Sequence, residues 1–179
     1  MPTIRLSVRS DMAAVTAIYR QHVLQGTASF ETEPPSEGEM QQRRLDVLAK
    51  AFPYLVVLDG SQVVGFAYCS GFRPRPAYRF SAEDSIYLAP QAQGRGLGRA
   101  LLAELVAQAE RAGVRRLIAM IGDSANHGSI ALHRALGFEP VGVLQSCGWK
   151  FNRWLDVVLM EKALGWGDKA PPATPNAGQ

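Results

Sequence analysis

The chain is poor in cysteine: two in 179 residues, Cys69 and Cys147, with no C-x-x-C pair. That excludes a disulfide-stapled scaffold and a cysteine-built metal centre, and no metal is expected. Both cysteines are expected as small apolar residues inside strands. No apolar run reaches membrane length and no leader pattern is visible, so a cytoplasmic chain without a membrane partner is the expectation. Lysine and arginine form no run, and the net charge is only +3, so no nucleic-acid surface is expected. That mild basicity still suits an anionic ligand. No segment repeats, and the length favours one domain with a real core.

Two common phosphate motifs are also missing. G-x-G-x-x-G begun at Gly94 needs glycine where Arg99 stands, and begun at Gly96 it needs glycine where Leu101 stands. The P-loop pattern has no match in this stretch.

What is present is a strand, a glycine-rich turn and an amphipathic helix. Ser85–Leu88 reads as a buried strand that Pro90 ends. Glycines stand at 94, 96 and 98, and Leu97, Leu101, Leu102, Leu105 and Val106 follow with helical spacing up to Gly113. A helix that opens on glycines exposes unpaired N–H groups at its positive end, a ready site for a phosphate. A plain tight strand-to-helix turn is the alternative on these residues alone.

The rest of the chain supplies the frame. Residues 3–9 read as a strand, and a helix capped at Ser10 or Asp11 runs to about 24 with Val15, Ile18, Tyr19 and Val23 inward. Ser36 and Glu39 form a capping box for a helix to about Lys50. Residues 54–58 and 63–70 form a hairpin around Asp59-Gly60. Arg73-Pro74-Arg75-Pro76 is a stiff loop, and 115–121 is a buried strand. A short helix starts at Asn126 and stops at Gly137, and strands near 138–145 and 152–160 follow. The order β-α-α-β-β-β-α-β-α-β-β is α/β with an antiparallel front half. A domain over 1–165 and a Pro-, Gly- and Ala-rich flexible tail over 166–179 are expected.

In the short helix Asn126, Ser129 and His133 fall on one face. His133 is either a core histidine beside Leu132 and Leu136 or a group facing a site. The apolar stripe lies off the Asn126–His133 line, which favours the second.

Gln93, Gly96 and Gly98, as Q-x-x-G-x-G, resemble the acyl-CoA pyrophosphate loop of the GCN5-related N-acetyltransferase (GNAT) superfamily. Asn126 to His133 with Gly137-Phe138 is similar to that superfamily's second motif, with histidine where a tyrosine general acid is frequent. Phe72–Tyr78, Ser81-Ala82-Glu83, Ile121–Asn126, Leu132–Phe138 and Lys150-Phe151 with Trp154–Asp156 narrow the resemblance to its phosphinothricin and methionine sulfoximine acetyltransferases, over residues 3 to 165. Ser81, His127-Gly128 and the segment 145–149 depart from that pattern.

The resemblance implies a GNAT fold: a mixed, mostly antiparallel twisted sheet flanked by helices. It implies direct transfer of acetyl from acetyl-CoA to the α-amine of a small amino-acid analogue. Glu83 would be the general base and His133 the general acid. Ile86, Tyr87 and Leu88 would hold the thioester carbonyl. Gln93, Gly94, Arg95, Gly96, Leu97, Gly98 and Arg99 would hold the pyrophosphate, with Asn126 and Ser129 beside the cofactor. Phe30, Glu31, Arg73, Arg75 and Tyr78 would enclose the acceptor. It also implies a homodimer, with Lys150, Asn152 and Trp154 near the partner's pocket. Other readings are acetylation of protein N-termini or other amines, and a non-catalytic acyl-CoA-binding protein.

Overall fold

A computed structural model describes residues 2–172. One seven-stranded sheet runs in the order β1-β2-β3-β4-β5-β7-β6. The strands are β1 (Thr3–Leu6), β2 (Tyr54–Asp59), β3 (Gln62–Gly71), β4 (Ser81–Leu88), β5 (Arg116–Gly122), β6 (Glu139–Lys150) and β7 (Arg153–Ala163). The helices are α1 (Met12–Gln25), α2 (Glu37–Ala49), α3 (Leu97–Arg111) and α4 (His127–Ala135). All neighbouring strands pair antiparallel except β4 and β5.

The element order is the one the periodicity predicts, and the boundaries differ for physical reasons. The Ser36–Glu39 capping box forms, with Ser36 N donating to Glu39 at 2.7 Å. The α1 cap differs: Asp11 accepts from Val8 N and is ion-paired to Arg5 at 2.7 Å, so it fastens the chain ahead of the helix. The central strand begins at Ser81, not Ser85. The polar Ser81–Asp84 stretch carries no strand signal of its own, but ladders on both sides hold it extended. The sixth strand likewise runs to Lys150 past an irregularity between Leu144 and Gly148. Cys69 is buried in β3, whereas Cys147 is exposed on that edge strand.

The core is built by α1 and α2 on one sheet face and α3 and α4 on the other. On the first face Tyr54, Phe66, Tyr68 and Tyr87 stack across three strands, and Tyr19 of α1 meets Phe66 and Tyr87 edge-on. On the second face Leu101, Leu102 and Leu105 of α3 are fully buried. The stretch after Gly165 is not featureless where it is described. Arg115 donates to Gly167 O at 3.0 Å and Ala170 O at 2.8 Å, which holds it in turns. Residues 173–179 of the expected tail lie outside the described residues. Among the described residues no helix is long and apolar enough to cross a membrane.

Candidate active site

The site exists because two strands part company. The parallel pairing of β4 and β5 stops at Asp84 and Ala119. Beyond it Ser85–Leu88 pair only with β3, and Met120–Gly122 only with β7. The sheet therefore opens into a wedge. Ala89 N donates to Val64 O at 2.8 Å, toward β3. Alternation along an antiparallel ladder then turns the N–H and C=O of Leu88 and Ile86 toward the wedge and those of Tyr87 away from it. His22 of α1 meets the Leu88 carbonyl at 2.8 Å. Burial holds this imidazole below its ordinary value, against the opposing pull of the Leu88 carbonyl, so it is a neutral ring donating from Nε2.

Two cavities open from the wedge. One, of about 630 Å³, is lined by His22, Gln93, Gly94, Gly96, Gly98, Arg99 and the start of α4. Gly94 and Gly96 have φ of +70° and +78°, a left-handed conformation that glycine alone adopts cheaply. No described backbone acceptor takes the N–H groups from Gly94 to Arg99. They sit at the positive end of α3, a suitable cradle for a pyrophosphate. Arg99 lines this cavity, but Arg95 turns away and binds Asp59 at 2.7 Å. Leu97 is buried in the core and offers only its amide. Arg99→Ala is therefore expected to weaken acetyl-CoA binding several-fold, and Arg95→Ala to leave it within twofold, since an exposed ion pair contributes little. Calorimetric titration of both variants checks this.

The second cavity, of about 450 Å³, lies over the α1–α2 connection. Tyr19, Phe30, Glu31, Tyr68, Glu83 and Met120 are among its walls. Ala28, Ile86, Asn126 and Ser129 line both cavities, so the two meet there. Glu83 is half-buried, and no described residue donates a hydrogen bond to it. Burial and then the charge of Asp84 push its carboxyl above the ordinary value, opposed by Arg73. Glu31 differs. Burial acts to raise it, but Arg43 at 2.6 Å and the Tyr19 hydroxyl at 2.7 Å outweigh that and hold it below the ordinary value. Glu31 is thus committed to partners, while Glu83 is available to take a proton from an ammonium group.

His133 is buried, unlike its expected position clear of the apolar stripe, yet with Asp84 it lines the second cavity. Its helix face packs inward, and the ring lies edge-on to Phe138 with centroids 5.0 Å apart. Its Nε2 is 3.0 Å from Asp84 Oδ2, and its Nδ1 is 2.7 Å from the Ser129 carbonyl. Asn126 caps α4 through Ser129 N at 3.2 Å.

Of the expected acceptor residues, Phe30 and Glu31 are in the cavity wall, and Arg73, Arg75 and Tyr78 are not. These three sit exposed on the loop before β4, with Arg73 lying over the Phe72 ring at 4.8 Å. Lys150 is also placed differently from the expectation. It turns inward on its own chain, 5% exposed, and donates to Gly26 O at 2.9 Å and Ser29 O at 2.6 Å. It thereby fastens the loop that roofs both cavities. Phe30 of that loop rests where a Cβ on Gly122 or Gly148 would collide with its ring. Tyr19, Tyr68 and His22 carried no motif, and the motif at Lys150 did not show its inward turn. The only signal of the first three was position, on the inward face of α1 and in β3.

A sheet wedged open beside a glycine-rich helix start, with an unpartnered carboxylate in the cavity that adjoins it, is the arrangement of an acetyl-CoA-dependent acyltransferase. The Acetyltransferase (GNAT) family model matches residues 15–138. Phosphinothricin N-acetyltransferase of Alcaligenes faecalis is 49% identical over 95% of this chain and 86% of its own length. The L-methionine sulfoximine/L-methionine sulfone acetyltransferase of Salmonella typhimurium is 35% identical over 90% of this chain and 94% of its own. The crystal structure of a phosphinothricin acetyltransferase from Sinorhizobium meliloti in complex with acetyl-CoA superposes with a TM-score of 0.93 at 48% identity, covering 96% of this chain and 93% of that one. The chain belongs to the GNAT acetyltransferase family. It is an N-acetyltransferase that uses acetyl-CoA.

Proposed function

We propose that the enzyme acetylates the α-amine of a small amino-acid analogue of the phosphinothricin, methionine sulfoximine or methionine sulfone type. The observation that carries this is Glu83: a carboxylate free of partners in the acceptor cavity, with the cofactor cavity meeting it close by. The names of the relatives supply the substrate class.

Acetyl-CoA supplies an activated acyl carbon. Gly94 to Arg99 hold its pyrophosphate, and the Ile86 and Leu88 amides, in place of Tyr87, receive the carbonyl oxygen. Asn126 and Ser129 border the thioester. Glu83, directly or through a water, takes the proton that makes the amine nucleophilic. Arg73, whose charge reaches Glu83, is a cation suited to the acceptor's acidic group. Arg75 and Tyr78 lie on the same exposed loop.

A homodimer completes this reading. The outer hairpin exposes Val141, Val143, Leu144, Trp149, Phe151 and Trp154, an apolar face beyond what a lone surface needs. Light scattering is expected to give the mass of two chains. A fully active monomer would remove this element.

The test is a comparison of kcat/KM by thiol release for phosphinothricin, methionine sulfoximine, methionine sulfone, spermidine and a short peptide. The amino-acid analogues are expected to lead by more than tenfold, because a site built to hydrogen-bond a substrate's polar groups rejects compounds that lack them. A lead for spermidine or the peptide would overturn the assignment. Arg73→Ala is expected to erase part of the lead.

A further inference from the structure

We propose that the departing thiolate receives its proton from the Ser129 hydroxyl, that His133 recharges this hydroxyl, and that Asp84 positions His133. The inference rests on the acetyl-transfer reading above.

His133 borders the acceptor cavity with Asp84 but does not line the cofactor cavity, so its ring does not reach the thioester sulfur directly. It is 2% exposed, its Nε2 is engaged by Asp84 Oδ2 at 3.0 Å, and Phe138 lies against its ring. Its Nδ1 faces two atoms of Ser129, the carbonyl at 2.7 Å and Oγ at 3.4 Å. A carboxylate oxygen and a carbonyl oxygen both accept, so the ring donates on both sides and is held as imidazolium. Ser129 is the member of this chain of contacts that lines both cavities, at the place where they meet. The order is therefore Asp84 Oδ2, His133, Ser129 Oγ, thioester sulfur. Asp84 is itself buried, and its Oδ1 has no hydrogen-bond partner among the described residues, so its bond to His133 is the one that fixes it.

The surroundings agree with a charged ring. Burial alone would lower the imidazole, but the Asp84 hydrogen bond and charge and the Ser129 carbonyl outweigh it, and it lies above its ordinary value. Cys69 of β3 stands opposite Asp84 in register and Glu83 precedes Asp84 on β4, pointing to the other face; burial and then the charge of Asp84 raise both. Ala119 of β5 stands opposite Asp84 in register, Phe138 closes the ring's side, and Arg134 on the same helix is exposed.

The step balances. As the N–C bond forms, the C–S bond breaks and its electron pair goes to sulfur. Ser129 Oγ–H gives its proton to that sulfur, and His133 Nδ1–H replaces it. Neutral His133 keeps Nε2–H on the Asp84 carboxylate. The amine proton passes to Glu83 and then to water, and His133 takes a proton from water before the next turnover.

Ser129→Ala is expected to lower kcat by about 10²- to 10⁴-fold with the KM for acetyl-CoA nearly unchanged, whereas Ser129→Thr, which keeps the hydroxyl, recovers most of it. Asp84→Asn is expected to move the alkaline limb of the kcat profile to lower pH. Nitrogen NMR of the imidazoles in the unliganded protein is expected to show His133 titrating at lower pH in Asp84→Asn than in wild type. Wild-type kcat in Ser129→Ala, or an unmoved His133 titration, overturns the relay. A wild-type enzyme silent toward every amino-acid analogue defeats the acceptor reading instead, and the NMR titration still decides the Asp84–His133 arrangement.

Discussion

Replacing Glu83 with glutamine is expected to lower kcat/KM at neutral pH by about 10²- to 10⁴-fold, the usual worth of a positioned general base. Acetyl-CoA binding should be unchanged, because Glu83 lines the acceptor cavity and not the cofactor cavity. The loss should shrink at high pH, where the amine deprotonates unaided. The acid limb of the wild-type kcat/KM profile should lie above the ordinary carboxylate range, because burial and Asp84 raise this group. The stability consequence has the opposite sign. A carboxyl raised in the folded state binds protons more tightly folded than unfolded, so stability falls as pH rises from the unfolded-state value to the folded-state value. Glu83→Gln should therefore raise Tm at neutral pH and leave it unchanged in acid. An active site that holds an unpartnered carboxylate gives up stability for reactivity. Full activity in this variant would remove Glu83 from the mechanism.

Gly96→Val should disable the cofactor site. Gly96 is the left-handed N-cap of α3, with φ of +78°. A residue with a Cβ there costs roughly 1–2 kcal/mol, and a β-branched one more. A Cβ at this position would meet no protein atom within 4 Å. Packing therefore does not forbid it; the backbone conformation and the space left for the pyrophosphate do. Acetyl-CoA affinity should fall by at least tenfold, the equivalent of about 1.4 kcal/mol, while the fold persists. The thermal shift given by saturating acetyl-CoA in wild type should be lost at the same concentration. An unchanged shift would place the pyrophosphate elsewhere.

The fold was legible where local signals and tertiary context agree. The Ser36–Glu39 box, the Asp59-Gly60 turn and the leucine spacing of α3 each name their element. It was less legible where the ladder overrides composition, as at Ser81–Asp84, which reads as polar chain and folds as central strand. In the site, Gln93, Gly96, Gly98 and Arg99 fall together on one cavity because their grouping is local, a single turn. Glu83 and Asp84 show how far alternation reaches: it puts them on opposite faces, but it does not reveal that His133 comes from α4 to meet Asp84. Arg95 has the same glycine neighbours as Arg99, and only the position of Asp59 across the sheet edge tells them apart. Lys150 is expected near a partner's pocket and instead turns into its own chain. Its inward turn follows from the left-handed residues Phe151 and Asn152, which close the β6–β7 hairpin, and no periodicity announces them.

The most direct measurement of the central claim follows both products at once. The enzyme is given acetyl-CoA and methionine sulfone, and free thiol is titrated while the amine is analysed by mass spectrometry. Equal amounts of thiol and of acceptor acetylated on its α-nitrogen are the predicted result. Thiol released with no acetylated amine, or acetyl-CoA bound and left intact with every amino-acid analogue, would contradict it.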